Sequence, residues 1–304
     1  MRRWTKVGAA VAATGGVAAM SAAAAGARLW GRGTARAVAR LAPDEAIPPR
    51  HHHAIGSDDE EDSVAALEHF FSTARLAGLP APVARYFTFA LTPGRPLAHG
   101  ARVEHAGEFA ARPGKWRPFT SVEHFAVDPP GFVWDARIRM APLVTVNVRD
   151  SYVRGDGAML ARVAGLVSVA DQHGTLEMAE ASLQRYVAES AWVPTALLPG
   201  AGCVEWSPID DTTARATLVD RGVTAVVDFH FDERGAIVGT TASRYRDVNG
   251  TPVRTPWVGR FGDYMRVDGT MVPTTGSVEW VLADGERLPY WRGRLTAIAF
   301  DRAQ

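Results

Sequence analysis

Residues 179–200 read AEASLQRYVAESAWVPTALLPG, and this stretch decides the fold. With Glu180 to Ala191 helical, Arg185, Glu189 and Trp192 stand at i, i+4 and i+7 on one face, and Leu183, Val187 and Ser190 lie opposite. Such a helix has packing partners on two sides. Pro194 disfavours helical geometry at Val193 and ends the element there, which leaves Thr195 to Leu198 as a short apolar turn before Pro199 and Gly200. Arg185 before Glu189 is the weaker order for an exposed helical pair, so both groups are expected to find partners elsewhere in the fold. The ordinary reading is a helix on a sheet with one structural ion pair; the alternative makes Arg185 and Glu189 part of a site.

Outward from this helix the sequence period is two. Phe132, Trp134, Ala136, Ile138 and Met140 alternate with Val133, Asp135, Arg137 and Arg139, and Val144, Val146 and Val148 repeat the pattern. Gly155-Asp156-Gly157 turns the chain into Ala158 to Ala170. Beyond the helix come Cys203 to Trp206, Ala214 to Val219, Val223 to Phe231 and Ile237 to Arg246. Turns at Asp220-Arg221-Gly222, Asp232 to Gly235, Asp268-Gly269 and Asp284-Gly285 separate further strands, and Leu295 to Phe300 closes the domain. Local turns between short strands make an antiparallel meander rather than a parallel sheet. The expected fold is mainly β (α+β): a curved antiparallel sheet or half-barrel with the central helix in its concavity. Two short helices precede it. Ser63 caps the first, through Leu76, and Pro80 to Pro82 open the second, which carries Val83, Tyr86 and Phe87 inward.

The 304 residues divide into a signal peptide or membrane anchor over 1–30, a disordered linker over 31–62 and a single domain over 63–304, with helices near 63–90 and 179–198. Arg2, Arg3 and Lys6 precede an uncharged, Ala- and Gly-rich run from Val7 to Ala27. That run is long enough to span a membrane, and its small residues also suit cleavage. The domain is therefore expected on the outer side of the cell membrane, or secreted after cleavage, with residues 7–27 contacting the cytoplasmic membrane. Pro43, Pro48, Pro49 and the acidic Asp58 to Asp62 mark the linker, and His51 to His53 read as a solvated tract.

Lys plus Arg and Asp plus Glu both number 33, so no net basic field argues for nucleic acid, and no RNP-type or helix-turn-helix pattern appears. The single cysteine, Cys203, excludes an intrachain disulfide and a cysteine-based zinc site. There is no G-x-S-x-G elbow, P-loop, H-E-x-x-H or strand-linked G-x-G-x-x-G. Neither a cofactor nor a metal is expected. Asp210-Asp211 reads as a turn. His105, His124 and His230 read separately as polar-face or satisfied histidines, because a three-histidine site needs separate strands to converge.

Four strings carry a resemblance: LPAPVARYF at Leu79, GEFAARPGKWRPFTSVEHF at Gly107, RYVAESAWVPTALLP at Arg185 and VEWSPIDDTTARATL at Val204. Together, and most specifically through the RYxxExxWxPTALLP motif, they resemble a bacterial domain-of-unknown-function family from about Leu79 to the C-terminus. That resemblance implies no reaction. A looser architectural resemblance is to the lipoprotein-carrier superfamily, periplasmic half-barrels that hold acyl chains against internal helices, and it is fold analogy only.

Seven tryptophans, Trp116, Trp134, Trp192, Trp206, Trp257, Trp280 and Trp291, are spread through the β region. Each alone reads as core, yet an interior lined by indoles is what a lipid or isoprenoid pocket needs. Trp192, Pro194, Leu197 and Leu198 are the expected mouth of such a pocket, with Tyr186 and Trp206 as further ligand contacts. Arg244 and Arg246 are candidates for an anionic headgroup against a plain reading as solvated strand positions. Two functions follow. The first is a non-enzymatic binder or carrier of a lipid or other apolar molecule. The second is a hydrolase or isomerase acting on such a ligand, with Glu189 as acid or base tuned by Arg185.

Overall fold

A computed structural model describes residues 16–43, 69–142, 144–200, 202 and 204–302 of the chain. Thirteen strands among these residues form one antiparallel sheet, numbered β1 to β13 in chain order and arranged β6-β5-β4-β3-β2-β1-β13-β12-β11-β10-β9-β8-β7. Each strand pairs with its neighbour in sequence except at the middle, where β1 (Ala98–Ala110) lies beside β13 (Arg287–Arg302). The first and last strands thus join two meanders, and the two edges left over are β6 (Val167–His173) and β7 (Val204–Pro208). Chain order demands that residues between β6 and β7 cross from one edge to the other. The sheet curls into a half-barrel, and that crossing runs through its concavity.

Among the described residues three α-helices accompany the sheet: α1 (Gly16–Ala39), α2 (Ala81–Ala90) and α3 (Leu176–Glu189). Helix α3 is the crossing. Thr175 caps it by accepting from the Met178 backbone N–H at 3.1 Å. The helix ends as the sequence indicates: Val193 leaves the helical region at φ −130°, ψ 72°, and Pro194–Leu197 forms a 3-10 turn. The α-helical part stops at Glu189, before the expected Ala191, because Ser190–Trp192 tightens into a 3-10 turn. Leu183 and Val187 are fully buried in the core that α3 shares with β9 (Val223–Phe231) and β10 (Ile237–Val248). On its other flank α3 meets β4 (Val144–Val153) and β5 (Asp156–Val163). Gly157 permits that approach, since a Cβ there would collide with the Met178 backbone.

Strand β3 (Gly131–Ala141) keeps the expected alternation, with Phe132, Trp134, Ala136 and Ile138 buried inward. Helix α2 carries Val83, Tyr86 and Phe87 inward as read from sequence. The stretch from Ala158 to Ala170 is two strands rather than one, because Ala164 and Gly165 take left-handed backbone (φ 51° and 73°) and turn the chain between β5 and β6. Of the helix expected over Ser63 to Leu76, the described part is helical only at Thr73–Leu76. Residues 69–71 instead run beside 94–97, with backbone bonds from Phe71 to Arg95, Gly94 to Phe71 and Leu97 to His69.

The expected linker also differs. Helix α1 continues through Gly31 to Ala39 and docks on the convex face of β3 and β4. Trp30 is buried and donates from its indole to Asp135 Oδ2 at 2.8 Å. Arg149, the cross-strand partner of Asp135, donates to the Trp30 carbonyl at 2.8 Å and lies over the indole ring at 4.4 Å. Leu41 then packs on Val133 and Val153. An Arg-rich segment without apolar periodicity becomes ordered here because the sheet supplies a carboxylate for the Trp30 indole. Among the described residues no helix is long and apolar enough to cross a membrane. Most of the expected linker, with His51 to His53, and the start of the Val7 to Ala27 run lie outside the described residues.

Candidate functional site: a cavity under the central helix

Between α3 and the concave face lies a cavity of about 290 Å³, close to the low end of the ~300–1,000 Å³ typical of small-molecule sites. Helix α3 contributes Arg185 and Glu189, on the face read from its 3.6-residue period, together with Met178, Ala181 and Ser182, and Trp192 follows from the next turn. The sheet contributes indoles on strands that the meander brings together: Trp134 on β3, Trp257 on β11 (Thr251–Val267), Trp280 on β12 (Thr270–Val281) and Trp291 on β13. Trp134, Trp192 and Trp257 are buried, whereas Gln172, Arg246 and Asp247 of the same lining reach solvent. The cavity is thus deep and apolar at one end, polar and wetted at the other.

Trp192 is held in place from three sides. Its indole donates to the Pro273 carbonyl at 3.0 Å, its ring packs edge-on against His105, Phe261 and Trp291, and Gly276 leaves room for it. A Cβ at Gly276 would stand 3.2 Å from Trp192 Cζ2.

Beneath the helix the expected Arg185–Glu189 pair is part of a larger cluster. Arg185 Nε donates to Glu189 Oε1 at 2.9 Å and Nη1 to Asp150 Oδ2 at 2.6 Å; Nη2 stands 3.9 Å from Glu123 Oε1. Its guanidinium also lies 4.9 Å from the rings of Phe132 and Trp134. Burial opposes the charge on Arg185, but Glu189, Asp150 and Glu123 outweigh it and hold Arg185 above its ordinary value. Arg185 and Glu189 side chains are 12% and 16% exposed, so this is a cavity-facing pair and not a solvated one. Glu123, 2% exposed, sits behind it on β2 (Trp116–Ala126). Burial first, and then the neighbouring Glu189, push the Glu123 carboxyl well above the usual carboxylate range. Glu189→Gln is expected to leave the fold intact at a cost below about 2 kcal/mol, because Arg185 keeps Asp150. Urea denaturation checks this; a larger loss with ligand binding unchanged makes Glu189 scaffolding.

His105 departs from its reading as a polar-face or satisfied histidine. It is 2% exposed and neither ring nitrogen has a hydrogen-bond partner. Burial, and secondly the Arg185 charge, lower its pKa to about 3. The unfolded imidazole takes its proton near 6.5, so between those values the unfolded state binds more protons and stability falls as pH drops. The His105 contribution is expected at about 1.4 kcal/mol per pH unit across that window. His105→Phe should remove this slope in denaturation series from pH 8 to pH 4 while changing stability little at pH 8. An unaltered slope in the variant means His105 does not titrate there.

The other sequence candidates distribute plainly. Trp192 and Arg244 line the cavity together with Arg185 and Glu189. Tyr186 does not: its hydroxyl donates to the Ala126 carbonyl at 3.0 Å and its ring stacks on Phe125 in the core. Pro194, Leu197 and Leu198, expected at the mouth, are buried core residues, because the 3-10 turn folds them against the sheet. Trp206 packs on Phe229 and Phe231 and donates to the Leu197 carbonyl at 2.9 Å, away from the cavity. Asp210 accepts from the Thr212 backbone at 2.8 Å, a turn role as read. His230 is shared between Thr241 at 3.1 Å and Thr213 at 3.5 Å. Among the described residues no group of histidine, cysteine or carboxylate side chains could hold a metal ion. Glu123 and Asp150 were missed in the sequence. Each is one polar residue on an alternating strand, and only the sheet's pairing brings it under α3.

Residues 77–300 match the model of a family described as a family of unknown function, DUF6920. The chain is also similar to a crystal structure of a LolA superfamily protein from Nitrosomonas europaea, at 14% identity and a TM-score of 0.39, over 75% of this chain and 96% of that one. A beta-barrel-like protein of the domain of unknown function DUF1849 from Brucella abortus matches at 10% identity and a TM-score of 0.25, over 67% of this chain and 98% of that one. No curated protein matches the chain.

Proposed function

We propose that this chain, which belongs to the DUF6920 family, binds and carries an apolar ligand such as a lipid or isoprenoid between α3 and the concave face of its sheet. The observation that supports this is the cavity itself: about 290 Å³, walled by indoles of Trp134, Trp257, Trp280 and Trp291 and roofed by a helix. We place the domain at the outer face of the cytoplasmic membrane or beyond it. The support is the run from Val7 to Ala27 behind Arg2, Arg3 and Lys6. Native mass spectrometry of the purified full chain, before and after solvent extraction, tests the binding. A stoichiometric apolar molecule lost on extraction is expected. An empty protein whose melting temperature ignores added lipids would sink the proposal.

A second reading has one observation in its favour. Glu189 lines the cavity, and the buried Glu123 beside it is a carboxyl pushed up by burial and by Glu189. An acid or base so placed, with Arg185 beside it and Glu123 behind it, suits a hydrolase or isomerase acting on the same ligand. Turnover of the extracted ligand that Glu189→Gln abolishes, with binding retained, would decide for the enzyme.

A further inference from the structure

Two arginines of the cavity lining, Arg244 and Arg246, form no ion pair among the described residues. Arg244, on β10, is 9% exposed and lines the cavity, yet no carboxylate among the described residues pairs with it. Its Nε donates to the Ala181 carbonyl of α3 at 2.7 Å, and Nη1 reaches the Tyr290 hydroxyl only at 3.5 Å. Trp257 and Trp280 lie 5.3 and 5.8 Å from the guanidinium carbon. These contacts orient a guanidinium with five donors and neutralise none of its charge. A cation this far from water is costly unless something pairs with it. Arg246, two residues on along β10 and so on the same face, also lines the cavity and has a buried Nε without a partner. Of the other charges of this lining, all but the solvent-exposed Asp247 stand in ion pairs. Arg260 pairs with Glu279 at 2.5 Å, Asp150 and Glu189 pair with Arg185, and Asp247 accepts from Gln172 at 2.5 Å and from the Gly250 backbone at 2.6 Å.

We infer that the ligand is an amphiphile with an oxyanion head, a carboxylate or a phosphate, seated on Arg244 and Arg246 with its apolar chain among the indoles. This rests on the apolar-ligand reading above and narrows it. Arg244 supplies the buried, oriented donors that a planar or tetrahedral oxyanion needs, and Arg246 lies toward the exposed end through which the ligand enters. The missing counter-charge is then the ligand's own.

The test titrates the full chain with dodecanoate, dodecyl phosphate, dodecanol and dodecyltrimethylammonium below their micelle concentrations, following tryptophan fluorescence. The two anions are expected to bind about tenfold or more tighter than the alcohol, their ratio telling carboxylate from phosphate. Arg244→Gln should remove the anions' advantage over the alcohol; Arg246→Gln should do so in part. If Arg244→Gln fails to fold, the ratio of anion to alcohol in the wild-type chain still decides. Equal binding of anion and alcohol, or tightest binding of the ammonium, overturns the anionic head and leaves the apolar cavity standing. Binding of none of the four overturns both.

Discussion

Arg185→Met is expected to cost about 3–5 kcal/mol of stability at neutral pH, the loss typical when one partner of a buried charge network is removed. Three carboxyl groups, from Glu123, Asp150 and Glu189, surround this one guanidinium, and without it Asp150 and Glu189 lose their counter-charge in a partly desolvated space. Met keeps an unbranched stem as far as the position of Nε, so the loss reports the guanidinium itself. The deficit should shrink in acid, where carboxylates can take protons. Arg185→Lys should recover only part of it, because a single ammonium cannot reach Glu189 from one nitrogen and Asp150 from another as the planar fork does. Urea denaturation at pH 7 and pH 5 measures both. A loss under about 1 kcal/mol would mean that the network is solvated like an ordinary surface cluster.

Trp192→Ala is expected to cost about as much, 3–5 kcal/mol, for a different reason. The indole is buried between His105, Phe261 and Trp291, and its N–H is held by the Pro273 carbonyl. Removing it leaves a void joined to the cavity and exposes the His105 ring. Trp192→Phe should recover most of the packing and lose the Pro273 bond, about 1 kcal/mol. Chain denaturation of the two variants separates the terms. If alanine and phenylalanine prove equally mild, the indole is a wall of the cavity and not a part of the core.

Much of the sheet was legible because strand burial imposes a period of two and tight turns demand residues that tolerate left-handed backbone. Asp268 and Gly269, or Arg221 and Gly222, sit at positive φ in the hairpins where the sequence places turns. Where such signals were weaker the boundaries slipped. Ala164-Gly165 split an apparent single strand, and Gly31 to Ala39 joined a helix because Trp30 found Asp135 on another element. Of the site, Arg185, Glu189, Trp192 and Arg244 were visible as candidates, while Pro194, Leu197 and Leu198 proved to be core.

Local chemistry therefore determined, from the sequence by itself, a mostly β domain and a central helix with one polar and one apolar face, ended at Pro194. Helix period, strand alternation and turn chemistry each act over a few residues, so each can be read in place. Tertiary structure alone decided that β1 pairs with β13, that α3 crosses between the two sheet edges, and that Glu123, Asp150 and Arg244 meet its polar face. Those residues are 35 to 62 positions from Arg185, and what brings them there is closure of the sheet around a helix that must bury both its sides.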